Sequence, residues 1–488
     1  MDHLIERMCL YCLIILKPSP PSVIATNRSS GRAGPEVNPR VYRILQRVRH
    51  LGNPVLRRTL LQVEREEWLS HDEVADLAWE RQRALVRQAY MHSGFYRRKY
   101  DAAGFHPDHL QRPEDFVRVP ILTRDEVREH AADIVCDNVP HTRLVARYTS
   151  GSTGVPLMIY RDRVDEPAIR ALYARTIGRW GLRMGSKTVR IWGLHRHDMI
   201  DRYEKPRYWR RFLTNSVTLD AYGILTNEKM TRFAELLRSF RPDLIISYVS
   251  AMEAFARFLD ERGGADFQPK AIWLTAESTH SFQKELIERV FRSTVYDMYG
   301  SVEVDHCAAE CDKREGLHIN ADMRTVEVVD EIGQPLRSGE TGELVVTDLI
   351  NYAAPLIRYR TGDLGRSLDH ACTCGRGMPL MSSVTGRIID MFVLPDGSQI
   401  YGGVFATFFY DHVNELRSFQ VHQTRRDRAI VRIVPLSGCE REILTAQILQ
   451  AFSNYTSGKM QFEIQFVERI DHEASGKFRY VKSDVANL

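Results

Sequence analysis

Between Thr188 and Met298 short apolar runs alternate with amphipathic ones, and this alternation most restricts the fold. Thr188–Leu194, Leu244–Tyr248, Ala271–Thr275 and Thr294–Met298 read as strands. Asn227–Phe240, stopped by Arg241-Pro242, and Ser281–Phe291 read as helices. Ser250 followed by Glu253 predicts a capped start for the helix between the second and third strands. Strand, helix, strand at this spacing predicts an α/β domain with a largely parallel sheet and helices on its faces. Ligands of such sheets sit at the carboxyl ends of the strands. Ala276-Glu277-Ser278 and Tyr299-Gly300 fall there.

The flanking stretches read differently. Val41–His92 is helical by pattern, with a capping box at Ser70 and Glu73, and Pro120-Ile121-Leu122-Thr123 turns into another helix capped with Glu126. Val326–Leu349 predicts antiparallel strands, Leu356–Tyr359 follows, and Thr361-Gly362-Asp363 reads as a turn. After Gly386-Arg387 the character changes. Met391–Leu394 and Ser398–Tyr401 form a hairpin around Pro395-Asp396-Gly397. Ser418–Gln423, Ala429–Val434 and Gln461–Val467 read as strands and Glu440–Phe452 as a helix, a small α+β unit. The expected division is a disordered extension at 1–38, a large domain at 39–386 and a small one at 387–488. Leu4–Leu16 is apolar but too short to span a bilayer, and Asp2 and Glu6 spoil a signal peptide.

Charge excludes one class of partner. The 67 basic and 63 acidic residues leave a net charge of +4, too weak for nucleic acid. Eight cysteines at uneven spacing fit a reducing cytoplasm better than a secreted disulfide framework. No membrane partner is implied.

Tyr148–Pro156 interleaves the hydroxyls of Ser150, Ser152 and Thr153 with Gly151 and Gly154. Glycines allow close backbone approach, and exposed N–H groups and hydroxyls cradle an anion such as a polyphosphate. A flexible surface loop is the plainer reading of such a run. Here it lies between two strand-like pieces, Thr142–Tyr148 and Pro156–Tyr160, which predicts a hairpin with a phosphate-gripping tip. No lysine follows the last glycine, so it is not a Walker loop.

Four motifs in order carry a resemblance: Ser150–Pro156, Tyr299-Gly300-Ser301-Val302-Glu303, Tyr359-Arg360-Thr361-Gly362-Asp363 and Gly476-Lys477-Phe478-Arg479. Over roughly residues 90–488 the chain resembles the adenylate-forming superfamily of acyl-CoA synthetases, adenylation domains and luciferases. Pro120–Thr123 and Cys372-Thr373-Cys374-Gly375-Arg376 are similar to the phenylacetate–CoA ligase branch. The resemblance implies a large multi-sheet α/β domain with a small mobile α+β C-terminal lid. It implies a carboxylic acid, aryl or small, attacking ATP to give an acyl-adenylate, which a thiol, most often coenzyme A, then takes over. An acyl carrier protein, an amine or a hydroxyl is an alternative acceptor. A nucleotide-binding homologue that no longer turns over is a third reading.

The implied roles follow the chemistry. Ser150, Gly151, Ser152, Thr153 and Gly154 would hold the phosphates, and Glu303 would hold Mg²⁺, a hard cation that prefers carboxylate and phosphate oxygen. Asp363 would accept the ribose hydroxyls, and Tyr299 would stack on adenine, with Gly300 and Ser301 beside it and Ala276, Glu277 and Ser278 opposite. Lys477 would orient the carboxylate and offset repulsion between the reacting anions, with Arg387 at the hinge. Three positions depart from the family: Val155 where lysine is common, Val302 where Thr or Ser is common, and Ile389 at the hinge. The first two remove phosphate contacts. Cys311, His318, Cys372 and Cys374 are metal-competent and would make a closed, structural zinc site, with Cys307 an alternative to Cys311. Tyr248, Ser250 and His195 are acyl-pocket candidates by position, although packing or capping explains each. Arg202–Arg211, basic and aromatic, could meet the phosphates of coenzyme A or an acidic carrier protein, although a solvated loop is the plainer reading.

Overall fold

The computed structural model describes residues 53–148, 157–192, 215–221, 226–275, 279, 281–384, 391–401, 403–412, 415–470 and 481–485. Helices α1 (Pro54–Glu66), α2 (His71–His92) and α3 (Gly94–Ala102) come first. Ser70 and Glu73 form the predicted reciprocal cap of α2. Thr123 and Glu126 do the same at α4 (Arg124–Ile134). Each box satisfies backbone donors that a helix start otherwise leaves open. Strands β1 (Leu144–Tyr148) and β2 (Met158–Asp162) pair antiparallel, so the expected hairpin is present. Its tip, including Ser150, Gly151, Ser152, Thr153 and Gly154, lies outside the described residues.

After α5 (Glu166–Gly178) comes the alternation: β3 (Thr188–Trp192), β4 (Ser216–Asp220), α6 (Asn227–Phe240), β5 (Leu244–Tyr248), α7 (Val249–Asp260), β6 (Ala271–Thr275), α8 (Ser281–Phe291) and β7 (Val295–Ser301). The strands β8 (Asp305–Glu310), β9 (Leu317–Ile319), β10 (Arg324–Val329), β11 (Gly342–Asp348), β12 (Tyr359–Gly365), β13 (Ser367–Leu368) and β14 (Leu380–Met381) follow. Among the described residues nine strands form one sheet in the order β13-β14-β9-β8-β7-β6-β5-β3-β4. The sheet is parallel from β4 to β7. It turns antiparallel from β7 to β13. Only half of it is therefore the expected parallel type, because β7, β8 and β9 follow one another through turns too short for a crossover helix. β10, β11 and β12 make a second, antiparallel sheet.

Two local expectations change. Ser250 does not cap α7, which starts two residues earlier than such a cap would place it, at Val249 with Tyr248 as N-cap, since the helix leaves β5 without a loop. Thr361-Gly362-Asp363 lies inside β12. There Gly362 takes a left-handed φ of 76°. The register of β11 against β12 slips between Glu343 and Val345. The turn-like residues thus serve a β-bulge, which re-aims a side chain within a ladder.

The C-terminal elements are β15 (Met391–Val393), β16 (Gln399–Tyr401), α9 (Gly403–Phe408), β17 (Leu416–Arg425), β18 (Arg428–Pro435), α10 (Arg441–Thr456), β19 (Gln461–Phe466) and β20 (Val481–Ser483). They enclose a core of their own around Phe392, Phe405, Phe409, Phe419 and Phe452. No described helix is long and apolar enough to cross a membrane.

Beneath the β1–β2 hairpin runs a chain of buried charges. Arg161 of β2 donates to Asp348 Oδ2 at 3.0 and 2.5 Å. Its Nη1 is also 3.0 Å from Asp305 Oδ2. Arg324 closes on the other Asp348 oxygen at 2.6 Å and donates from Nε to the Val304 carbonyl at 2.5 Å. Asp165 is buried beside them, and its Oδ2 has no hydrogen-bond partner among the described residues. Burial first, then the charge of Asp348, pushes its carboxyl from 3.8 up to about 7. Its protonated form is thus favoured in the folded state, so its contribution to stability is complete below about pH 4 and disappears as pH rises through 7. Asp165→Asn removes this dependence. Urea unfolding between pH 4 and 8 should show the wild type losing stability relative to the variant as pH rises, and parallel curves would contradict it.

Candidate active site

Two of the four motifs, Tyr299–Glu303 and Tyr359–Asp363, lie among the described residues, and they meet where β7 ends. Tyr299 is buried, and its Oη donates to Asp363 Oδ2 at 3.0 Å across from the β12 bulge. Burial, followed by the Asp363 charge, raises the Tyr299 hydroxyl well above its usual range, so it stays protonated and donates. Thr361 Oγ1 accepts the Asp363 N–H at 3.2 Å and donates to the Leu344 carbonyl at 2.9 Å, fixing the bulge from below.

Gly300 is dictated by space. A Cβ there would lie 2.2 Å from the Asp305 carbonyl oxygen. Asp305 itself is left-handed, with φ 53°. The tight passage from β7 to β8 places Glu303 in a turn, buried, with Val302 beside it 41% exposed. Glu303 Oε1 accepts from Arg124 Nη1 at 3.1 Å. Ser301 Oγ is buried and lacks a hydrogen-bond partner among the described residues. An orphaned hydroxyl beside a buried carboxylate fits a site that takes a polar ligand.

Arg147, near the foot of the hairpin tip, donates to both oxygens of Asp305 at 2.9 and 3.0 Å. The hairpin and the Glu303 turn are therefore braced against each other. Sequence reading did not single out Arg124, Arg147, Arg161, Asp305 or Asp348. Lone arginines and aspartates carry no local signal, and the Arg147–Asp305 and Arg161–Asp348 partners lie 158 and 187 positions apart.

A second cluster lies at the antiparallel end of the large sheet. Cys311, His318, Cys372 and Cys374 come together with ligand atoms all within 4.8 Å of one another. Cys311 Sγ and Cys372 Sγ are 3.6 Å apart, and Cys374 Sγ is 3.4 Å from His318 Nε2. A disulfide would need about 2.05 Å. A tetrahedron with ~2.3 Å metal–sulfur arms has edges of roughly 3.8 Å, and these two spacings come near it. Burial, followed by the Arg179 charge, lowers the His318 imidazole to about 4, leaving it neutral as a ligand must be. Cys307 sits instead in the main core. The Cys372–Arg376 loop is anchored by Arg376, which lies over the Trp68 ring at 4.6 Å and pairs with buried Glu67 at 2.5 Å. Arg175 and Arg179 meet the same carboxylate, each at 2.9 Å.

Ala276, Glu277, Ser278, Arg387, Lys477, His195 and 202–211 lie outside the described residues. Tyr248 packs on Trp192 with ring centres 4.3 Å apart.

Comparison with known proteins places this architecture among the AMP-forming ligases. A 2-hydroxyisobutyryl-CoA ligase, solved with 2-HIB-AMP and CoA, aligns with a TM-score of 0.62 over 86% of this chain and 92% of its own, at 23% identity, which speaks to fold. The phenylacetate–coenzyme A ligase of Escherichia coli is 31% identical over 337 residues, covering 67% of this chain and 74% of that protein. The ligase of the same name from Thermus thermophilus is 30% identical, covering 67% and 73%. Residues 392–484 match the family described as the CapK C-terminal domain. The chain belongs to the phenylacetate–coenzyme A ligase family.

Gly300→Ala should cost about 1–3 kcal/mol of unfolding free energy, the usual penalty of overpacking a close contact. Denaturant unfolding checks this, and an unchanged midpoint would mean that the approach to Asp305 is not as close as described.

Proposed function

We propose that this chain joins an aryl or small carboxylic acid to coenzyme A at the expense of ATP, through an acyl-adenylate. Family membership supports the AMP-forming acid–thiol ligase reaction. The observation that carries the site is the Tyr299–Asp363 hydrogen bond, which joins two separate motifs, one in β7 just before the turn that bears Glu303 and the other in β12. An oxygen of the acid attacks the α-phosphorus, and the bond to pyrophosphate breaks as the new one forms. The thiolate sulfur then attacks the acyl carbon and AMP departs.

Each residue has a task in this reading. Tyr299 holds and orients the Asp363 carboxylate, which accepts the ribose hydroxyls, and the Tyr299 ring offers a face to adenine. Ser150, Gly151, Ser152, Thr153 and Gly154 donate to the phosphates. Glu303 holds Mg²⁺, which when bound screens the charge gathering on the leaving pyrophosphate. A single protein carboxylate suits magnesium, which keeps water and phosphate as its other ligands. Lys477 and Arg387 act from a lid domain at 387–488 that moves against the body at 39–386. The four-residue cysteine–histidine cluster holds zinc. With four protein ligands there is no open position, so the metal is structural and ties the β13–β14 loop to the sheet. The reaction belongs in the cytoplasm, with the thiols reduced.

Acid-dependent exchange of labelled pyrophosphate into ATP tests the adenylation. Lys477→Ala and Glu303→Gln should each lower the exchange by roughly 10²–10³-fold, the scale of losing one electrostatic contact to the transition state. Exchange that ignores the acid, or survives both changes, would contradict the reading. Elemental analysis should find about one zinc per chain, and Cys372→Ser should lower both zinc content and melting temperature. Metal-free protein of unchanged stability would remove the zinc.

A further inference from the structure

One largely buried cation at the site has no role in the scheme above. Arg124 is the first residue of α4, and its Nη1 lies 3.1 Å from Glu303 Oε1, with the two side chains 15% and 7% exposed. Its backbone is fixed from both sides. The Thr123–Glu126 box holds the helix start. Leu122 joins the rim of β12, its N–H donating to the Arg358 carbonyl at 3.0 Å and its carbonyl accepting from the Arg360 N–H at 2.9 Å. Arg358 in turn donates to the Val117 and Val119 carbonyls at 2.6 and 2.9 Å. The guanidinium is thus delivered to Glu303 by a rigid frame.

A buried ion pair is a poor device for stability alone, since desolvation offsets most of its attraction. Magnesium would also compete with it directly, because both cations take the same carboxylate. We propose that Arg124 is a phosphate-contacting residue of the adenylation step. In the nucleotide-free enzyme it pairs with Glu303. When magnesium bound to ATP takes that carboxylate, the guanidinium turns to the β- and γ-phosphate oxygens. A planar guanidinium suits phosphate oxygens, which it grips with two parallel hydrogen bonds. The substitution at Val155 gives this contact a purpose. The phosphate loop lacks the lysine common in the family, and Arg124 supplies a cation from a different element. The inference rests on Glu303 being the magnesium residue.

Calorimetric titration of the full chain with Mg²⁺–ATP, Mg²⁺–pyrophosphate and AMP tests it, with Arg124→Gln, Arg124→Lys and Glu303→Gln beside the wild type. Arg124→Gln should weaken ATP and pyrophosphate by about 10–100-fold, the range of a hydrogen bond to a charged group, with AMP affinity unchanged. Arg124→Lys should recover part of the loss, and the variant's KM for ATP should rise more than its kcat falls. Wild-type ATP affinity in Arg124→Gln would overturn the proposal, as would an equal loss for AMP, the mark of a purely structural residue. If Glu303→Gln keeps magnesium-dependent ATP binding, the underlying reading of Glu303 fails. If it loses that binding while Arg124→Gln does not, only the role of Arg124 fails.

Discussion

Arg161 is fully buried between the carboxylates of Asp348 and Asp305, and the site hangs from that contact. A guanidinium at such depth is tolerated only when paired and hydrogen-bonded. The pairing therefore sets where β2 lies against β8 and β11. β2 is one leg of the hairpin with the hydroxyl-rich tip, and β8 begins two residues after Glu303. Arg147 adds a second link to Asp305 at the foot of the same tip. Two segments distant in sequence thus share one ionic base.

The large sheet supplies the rest of the geometry. At β7 it changes from parallel to antiparallel, so the carboxyl end of a parallel strand is also one leg of a tight turn. That junction gives Tyr299, Ser301 and Glu303 one position at the mouth of the sheet. The antiparallel half continues to β14, paired with β9, where the cysteine–histidine cluster gathers. Glu67 receives Arg175, Arg179 and Arg376, fastening that loop to the end of α1. Three guanidiniums hold its carboxyl below the usual range despite the opposing effect of burial.

Periodicity in the sequence was enough to find the strands and helices between Leu244 and Phe291, because burial on both faces of a parallel strand writes a continuous apolar run. Both capping boxes were equally legible, since their chemistry is local. The cysteine–histidine set could be proposed from residue types alone, as few side chains bind metal. The bulge in β12 was hidden because Thr-Gly-Asp is a turn signature, and only the partner strand shows that the ladder continues through it. Helix α9 and strand β20 were missed, being too short to show a period. The arginine–carboxylate base was invisible for a deeper reason. Long-range ion pairs have no spacing rule, and Arg324 or Asp348 alone reads as an ordinary surface charge.

The central claim is that Tyr299, Asp363 and Glu303 bound a single nucleotide pocket. An experimental structure with a stable acyl-sulfamoyl adenosine, which mimics the acyl-adenylate, tests it most directly. The account predicts ribose hydroxyls within hydrogen-bonding distance of Asp363, with the Tyr299 hydroxyl still on its other oxygen. An adenosine bound elsewhere, with Asp363 and Tyr299 undisturbed and untouched, would contradict it.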